Sequence, residues 1–189
     1  MNPVVRIALI VFFLLLTTHP AEAQQDKGVV PSPPAKIEGK FAIADVGNER
    51  TAVALVYQKV GGENACAIWV GAGYTYIGKA QGSPERERVY ISFMRHSTDE
   101  PKMLRSETER TLSLILDGEA LNLGPMPSVK EVLIGYSLAT QGLMLHMPYE
   151  TFGKIANAKK VEVHLGPLTF NLTERNLQDF RDLQGRISR

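Results

Sequence analysis

The chain has 189 residues, 44% hydrophobic and 22% charged, with a net charge of +1 and one cysteine. That balance excludes a highly charged disordered chain and a disulfide framework, since one cysteine closes no bridge within the chain. The signs of charge alternate, as in Glu85-Arg86-Glu87-Arg88 and Glu107-Thr108-Glu109-Arg110, which reads as solvated loops and excludes a basic nucleic-acid-binding face.

After Arg6 the chain is apolar from Ile7 to Leu16 and then reads Thr17, Thr18, His19, Pro20, Ala21, Glu22, Ala23. A charged start, an apolar run of about ten residues and a small-residue site form the order of a secretory signal peptide. The run falls short of the roughly 20 residues that span a bilayer as helix. Cleavage after Ala23 is therefore expected, with a periplasmic or secreted product that meets the membrane only during export. Arg6 and Glu22 leave together, so the net charge of the mature chain is unchanged. Residues 24–38, QQDKGVVPSPPAKIE, carry Pro31, Pro33 and Pro34, which remove backbone donors and favour an extended linker or tail. Residues 39–189 are expected to form one domain, large enough to bury roughly two-thirds of the unfolded chain's surface without staples.

Within that domain residues 51–60 fit two periods. Val53, Val56, Tyr57 and Val60 make a helical stripe, while Val53, Leu55 and Tyr57 alternate; β-branched content favours the strand. After Gly61-Gly62, the stretch 65–76 alternates at Ile68, Val70, Ala72, Tyr74 and Tyr76, and Val89, Ile91 and Phe93 repeat the pattern. Asp117-Gly118 between alternating leucines is a strong hairpin signal that pairs Leu114 with Leu121, Leu112 with Leu123, and Ser113 with Asn122. Val132, Ile134, Tyr136 and Leu138 alternate, as do Leu143, Leu145 and Met147, with a turn expected near Gln141-Gly142.

A helix is expected to open at Pro148, whose missing donor is harmless at a first helical position, with Tyr149, Phe152, Ile155 and Ala156 on its apolar side. A second hairpin turns at Gly166-Pro167 and pairs Leu165 with Leu168, Val163 with Phe170, and Val161 with Leu172. The last helix follows Thr173 as its cap, with Leu172 and Leu177 as a hydrophobic staple and Leu177, Phe180, Leu183 and Ile187 as its stripe. The fold class is therefore α+β: an antiparallel β-sheet of about six to eight strands with the two C-terminal helices on one face. Whether the sheet's other face meets water or a second layer from residues 41–95 is left open by the pattern.

Residues 149–187, YETFGKIANAKKVEVHLGPLTFNLTERNLQDFRDLQGRI, resemble a helix, hairpin, helix ending of uncharacterised exported bacterial proteins. The resemblance consists of packing and turn residues, and it implies a bacterial envelope setting with no catalytic residue to carry over.

Chemistry has few footholds. Cys66 lies among Ala65, Ala67 and Ile68 and reads as a small buried hydrophobe, because thiolate chemistry needs a neighbouring cation. Arg95-His96-Ser97-Thr98-Asp99 holds the residue types of a hydrolase triad, but adjacent residues do not converge, and the run reads as a polar turn. Glu162 and His164 share one strand face and His146 lies elsewhere, too few ligands for a closed zinc site. Gly71-Ala72-Gly73 lacks the following helix and third glycine of a dinucleotide loop. Asn171-Leu172-Thr173 matches a glycosylation sequon at a strand end, which a bacterial setting discounts.

No cofactor is expected. The leading expectation is a non-catalytic domain that binds an envelope protein or small ligand, with Trp69, Tyr74 and Tyr76 as aromatic surface candidates. The competing readings are a hydrolase assembled from His96, Asp99, His146 or His164, and a small-ligand carrier with an apolar cavity.

Overall fold

The computed structural model describes residues 36–45, 50–55, 57–61, 66–77, 89–97, 104–134 and 138–187. The expected signal peptide and Asp99 lie outside them, as does nearly all of the Pro-rich segment. Among these residues twelve strands form two antiparallel sheets. The eight-stranded sheet contains β1 (Lys36–Glu38), β2 (Phe41–Asp45), β3 (Arg50–Leu55), β4 (Gln58–Gly61), β5 (Cys66–Ile77), β6 (Val89–Ser97), β9 (Ser128–Ile134) and β10 (Leu138–Met147). Its order is β1-β2-β3-β5-β6-β10-β9, with β4 also paired to β5. The four-stranded sheet holds β7 (Thr111–Leu116), β8 (Glu119–Pro125), β11 (Val161–Leu165) and β12 (Leu168–Asn171), in the order β12-β11-β7-β8. Two helices, α1 (Tyr149–Asn157) and α2 (Glu174–Ile187), complete the α+β architecture.

One core joins these layers. Alternation turns Ile68, Val70, Ala72, Tyr74 and Tyr76 of β5 and Val89, Ile91 and Phe93 of β6 to the same side. There they meet Leu112, Leu114, Val161, Val163 and Leu165 of the smaller sheet and Phe152, Ile155, Phe180 and Leu183 of the helices. The rings of Phe93 and Phe170 meet edge to face across the sheets, 5.8 Å between centroids. The strands from 41–97 thus supply the second layer whose existence the pattern left open. No described helix is long and apolar enough to cross a membrane.

Both hairpins turn where their dipeptides require. Asp117 and Gly118 both take positive φ, and the Asp117 carboxylate accepts from the amides of Lys159 and Lys160, at 3.0 and 2.8 Å, which holds its pKa below the usual value. Leu114 faces Leu121 and Ser113 faces Asn122 as expected, but Leu112 faces Gly124 in place of Leu123. Gly124 has φ +85 and admits one extra residue into β8, a bulge that the turn alone does not reveal. In the second hairpin Leu165 faces Leu168, Val163 faces Phe170, and the Leu172 amide donates to the Val161 carbonyl at 3.0 Å.

Two further expectations are corrected. Gln141 and Gly142 form no turn: they lie within β10, and the chain from β9 to β10 reverses between Ile134 and Leu138. Pro148 stands just before the first helical residue, Tyr149, at the cap position. The stretch 51–60, ambiguous by period, is strand in β3 up to Leu55 and again in β4 from Gln58. Thr173 caps α2 as expected: its hydroxyl accepts from the Asn176 amide at 3.2 Å, and Asn176 Oδ1 accepts from the Thr173 amide at 2.8 Å.

Helix α2 is clasped to the N-terminal hairpin along one stripe. Lys40 Nζ donates to Asp179 Oδ1 at 2.6 Å and also pairs with Asp182, while Arg186 Nη2 donates to Glu38 Oε2 at 3.0 Å. The Arg186 guanidinium stands 5.1 Å from the Phe41 ring centre. Gln58 donates to Asp179 and accepts from Asn176 Nδ2 at 2.8 Å.

The pH response follows. A hydrogen bond from Lys36, helped by Arg186, holds Glu38 below its usual 4.5, and Lys40 holds Asp182 below 3.8. Burial opposes the charge on Lys40, but its bonds to Asp179 and Asp182 outweigh this and raise it above 10.5. Carboxylates depressed in the folded state stabilise at neutral pH and lose that contribution as pH falls through their folded values; the raised amine loses its contribution only as pH climbs past 10.5. Thermal melts should therefore be flat from about pH 5 to 10 and fall in acid. Lys40→Met should shallow the acid limb, and superimposable limbs for the two proteins would show that the clasp contributes nothing.

Candidate functional site

An antiparallel sheet with one face on a core ordinarily presents a polar face to water. The eight-stranded sheet does not. On the side opposite the shared core, Ala42, Ala44, Ala52, Ala54, Tyr57, Tyr90, Met94 and Met144 form a second buried apolar cluster, with Trp69 packed half-buried against it. Strand alternation explains the membership: Trp69 lies between core-facing Ile68 and Val70, Tyr90 between Val89 and Ile91, and His146 between Leu145 and Met147.

Small residues let two tyrosine rings lie flat on this face. A Cβ added to Gly71 would come 3.0 Å from Tyr57 Cε1, and one added to Gly73 would come 2.5 Å from Tyr90 Cζ. Tyr57 donates its hydroxyl proton to Ser92 Oγ at 2.9 Å. Burial pushes the Tyr57 and Tyr90 hydroxyls far above the ordinary phenol range, so both stay neutral. His146 is exposed at the rim, and its ring meets Tyr90 edge to face at 5.7 Å. Trp69 pairs with Met94 and His146 with Tyr90. Four residues along β6 and two strand spacings separate the two candidates, placing them about 16 Å apart on one surface.

The other candidates scatter. Tyr74 and Tyr76, expected as surface aromatics, are 3% and 7% exposed and belong to the shared core. They share the phase of Ile68 and Val70, which carries them inward. Backbone pairing sets His96 between Ala67 and Thr140 in the sheet, so Arg95, His96 and Ser97 are strand and not turn. Glu162 and His164 lie on the outer face of the four-stranded sheet, with Glu162 Oε1 2.8 Å from His164 Nε2 but off the hydrogen-bonding direction, and Thr169 Oγ1 3.4 Å from His164 Nδ1. His146 and His164 therefore point out of opposite sides of the molecule, with the core between them. Among the described residues no three His, Cys, Asp or Glu side chains gather to hold a metal.

Two buried polar residues escaped the pattern. Arg95 and Gln141 are 7% and 1% exposed and face one another on β6 and β10. The signal was present: Arg95 is in phase with Ile91 and Phe93, and Gln141 with Leu143 and Leu145. Gln141 Nε2 donates to the Leu104 carbonyl at 2.7 Å and its Oε1 accepts from the Leu104 amide at 3.0 Å. This side chain supplies what a neighbouring strand would, and ties residue 104 to the sheet.

Comparison with protein-family models, curated proteins and solved structures finds no match for this chain.

Proposed function

We propose that this is a non-catalytic exported domain that binds an envelope partner through the outer face of its eight-stranded sheet, around Trp69 and His146. One observation carries the reading: among the described residues the sheet is apolar on both sides, and the side away from the shared core carries the half-buried Trp69 and the exposed His146. Most of that second cluster is buried, and the half-buried Trp69 and the exposed His146 are the positions on this face that a partner can reach. Tryptophan is the residue type whose truncation most often removes binding energy at such sites.

The test places a photo-crosslinking residue at position 146 or at Thr169, which is exposed on the opposite side of the molecule. The mature protein should yield a stoichiometric adduct in envelope extract from position 146 and none from 169. Trp69→Ala should weaken binding of the captured partner by about 2 kcal/mol or more, roughly 30-fold, with the far-ultraviolet circular dichroism unchanged. Equal adducts from both positions, or a Trp69→Ala protein that binds as well as wild type, would remove the reading.

A further inference from the structure

Resting on that partner-binding reading, we propose that the partner presents an acidic, extended protein segment, which crosses the outer face of the eight-stranded sheet along one row from Lys59 to Lys130.

Register builds the row. Lys59 of β4 stands opposite Trp69 of β5, Trp69 opposite Met94 of β6, Met94 opposite Gly142 of β10, and Gly142 opposite Lys130 of β9. Residues directly opposite in antiparallel strands share a face, so all five positions fall on the side away from the shared core. Lys59 is exposed and Trp69 half-buried, whereas Met94 is 3% exposed and Gly142 brings no side chain, which leaves a low floor in the middle of the row.

Charge is sorted across the sheet. Alternation from Ala52 and Ala54 gives Arg50 an outer-face position too. The carboxylates in the described strands of this sheet, Glu38, Asp45 and Glu131, take core-side positions: Glu38 accepts from Arg186 of α2, Asp45 follows outer-face Ala44, and Glu131 stands opposite Gln141. Among the described strand residues the outer face therefore carries cations and no carboxylate. Such a face attracts a negatively charged partner and repels a basic one.

Dimensions and burial select a protein segment over a lipid surface. The two lysine positions are four strand spacings apart, about 19 Å, which about six extended residues span. Docking on a bilayer instead requires apolar side chains that enter it, and Tyr90, Met94 and Met144 are 0%, 3% and 7% exposed.

The probe is an oligoglutamate of about ten residues, long enough to pass both ends of the row. Added to the mature protein at low salt, it should change the emission of Trp69, the only tryptophan in the chain, in a saturable way, and oligolysine should not. Lys59→Glu and Lys130→Glu should each weaken binding about tenfold, and salt at about 0.15 M should weaken it several-fold. Lys154→Glu, the same charge change on the exposed side of α1, should weaken it less than about twofold, and circular dichroism should be unchanged in all three variants. No response to oligoglutamate, equal binding of oligolysine, equal weakening by Lys154→Glu, or binding to phosphatidylglycerol vesicles in place of oligoglutamate would overturn the proposal. The captured partner separates the two readings. A fragment crosslinked at position 146 that is not net acidic would overturn the charge assignment and leave the partner site standing, whereas oligoglutamate binding without any adduct would support the assignment and remove the envelope partner.

Discussion

Gly166→Ala should cost about 3 kcal/mol, the sum of two separable effects. Gly166 takes φ +54 at the turn between β11 and β12, a conformation that costs an L-residue roughly 1–2 kcal/mol. A Cβ there would also sit 2.6 Å from the Glu109 carbonyl carbon and 2.8 Å from its Cα. Glu109 cannot easily retreat: its carboxylate accepts from the amides of Arg105 and Ser106, at 2.7 and 2.9 Å, and Gly166 donates its own amide to Thr111 O at 2.9 Å. Overpacking against fixed backbone adds about 1–3 kcal/mol. At 2–4 °C per kcal/mol for a domain of this size, the melting point should drop by roughly 10 °C. Gly118→Ala separates the effects, since Gly118 has φ +97 but open space around it; it should cost only about 1–2 kcal/mol. Equal losses in the two variants would mean that the Glu109 contact does not constrain the turn.

What could be read in advance follows a physical division. Wherever a turn dipeptide met one-faced alternation, as at Asp117-Gly118 and Gly166-Pro167, the register was legible, because a slip would move every leucine to water. Leu112 escaped because Gly124 accommodates a bulge, and a bulge depends on backbone conformation that residue type only permits. Gln141-Gly142 misled for the opposite reason: glycine favours turns locally, but the Gln141 amide is claimed by Leu104, a contact between segments that no local rule contains. The candidate face was hidden in plain composition. Phe41-Ala42-Ile43-Ala44 and Ala52-Val53-Ala54-Leu55 read as unbroken apolar runs, the mark of strands covered on both sides, and that same absence of a polar phase left residues 51–60 able to fit either period. Trp69 and His146 were singled out by residue type; that they share one surface, while Tyr74 and Tyr76 turn inward, depends on strand pairing.

The helix layer offers the other large effect. Phe180 is 1% exposed, and its ring stands 5.5 Å from Phe152, so one side chain joins α2 to α1. Phe180→Ala removes that ring from a core whose backbone is held by two sheets, so the site relaxes little and the loss should reach about 3–5 kcal/mol. Phe180→Leu, which refills most of the volume, should lose under about 1.5 kcal/mol, and Arg175→Ala on the exposed side of the same helix under about 0.5 kcal/mol. Urea titrations should show the midpoint falling at constant slope, the sign of lost packing in an otherwise unchanged native state. The neighbouring residue, Asp179, belongs to the Lys40 clasp. If helix docking and clasp are one cooperative unit, Phe180→Leu combined with Lys40→Met should depart from additivity by more than about 0.5 kcal/mol. Strict additivity would show that the helix is seated by its apolar stripe alone, and that the ionic contacts only follow where packing has already placed it.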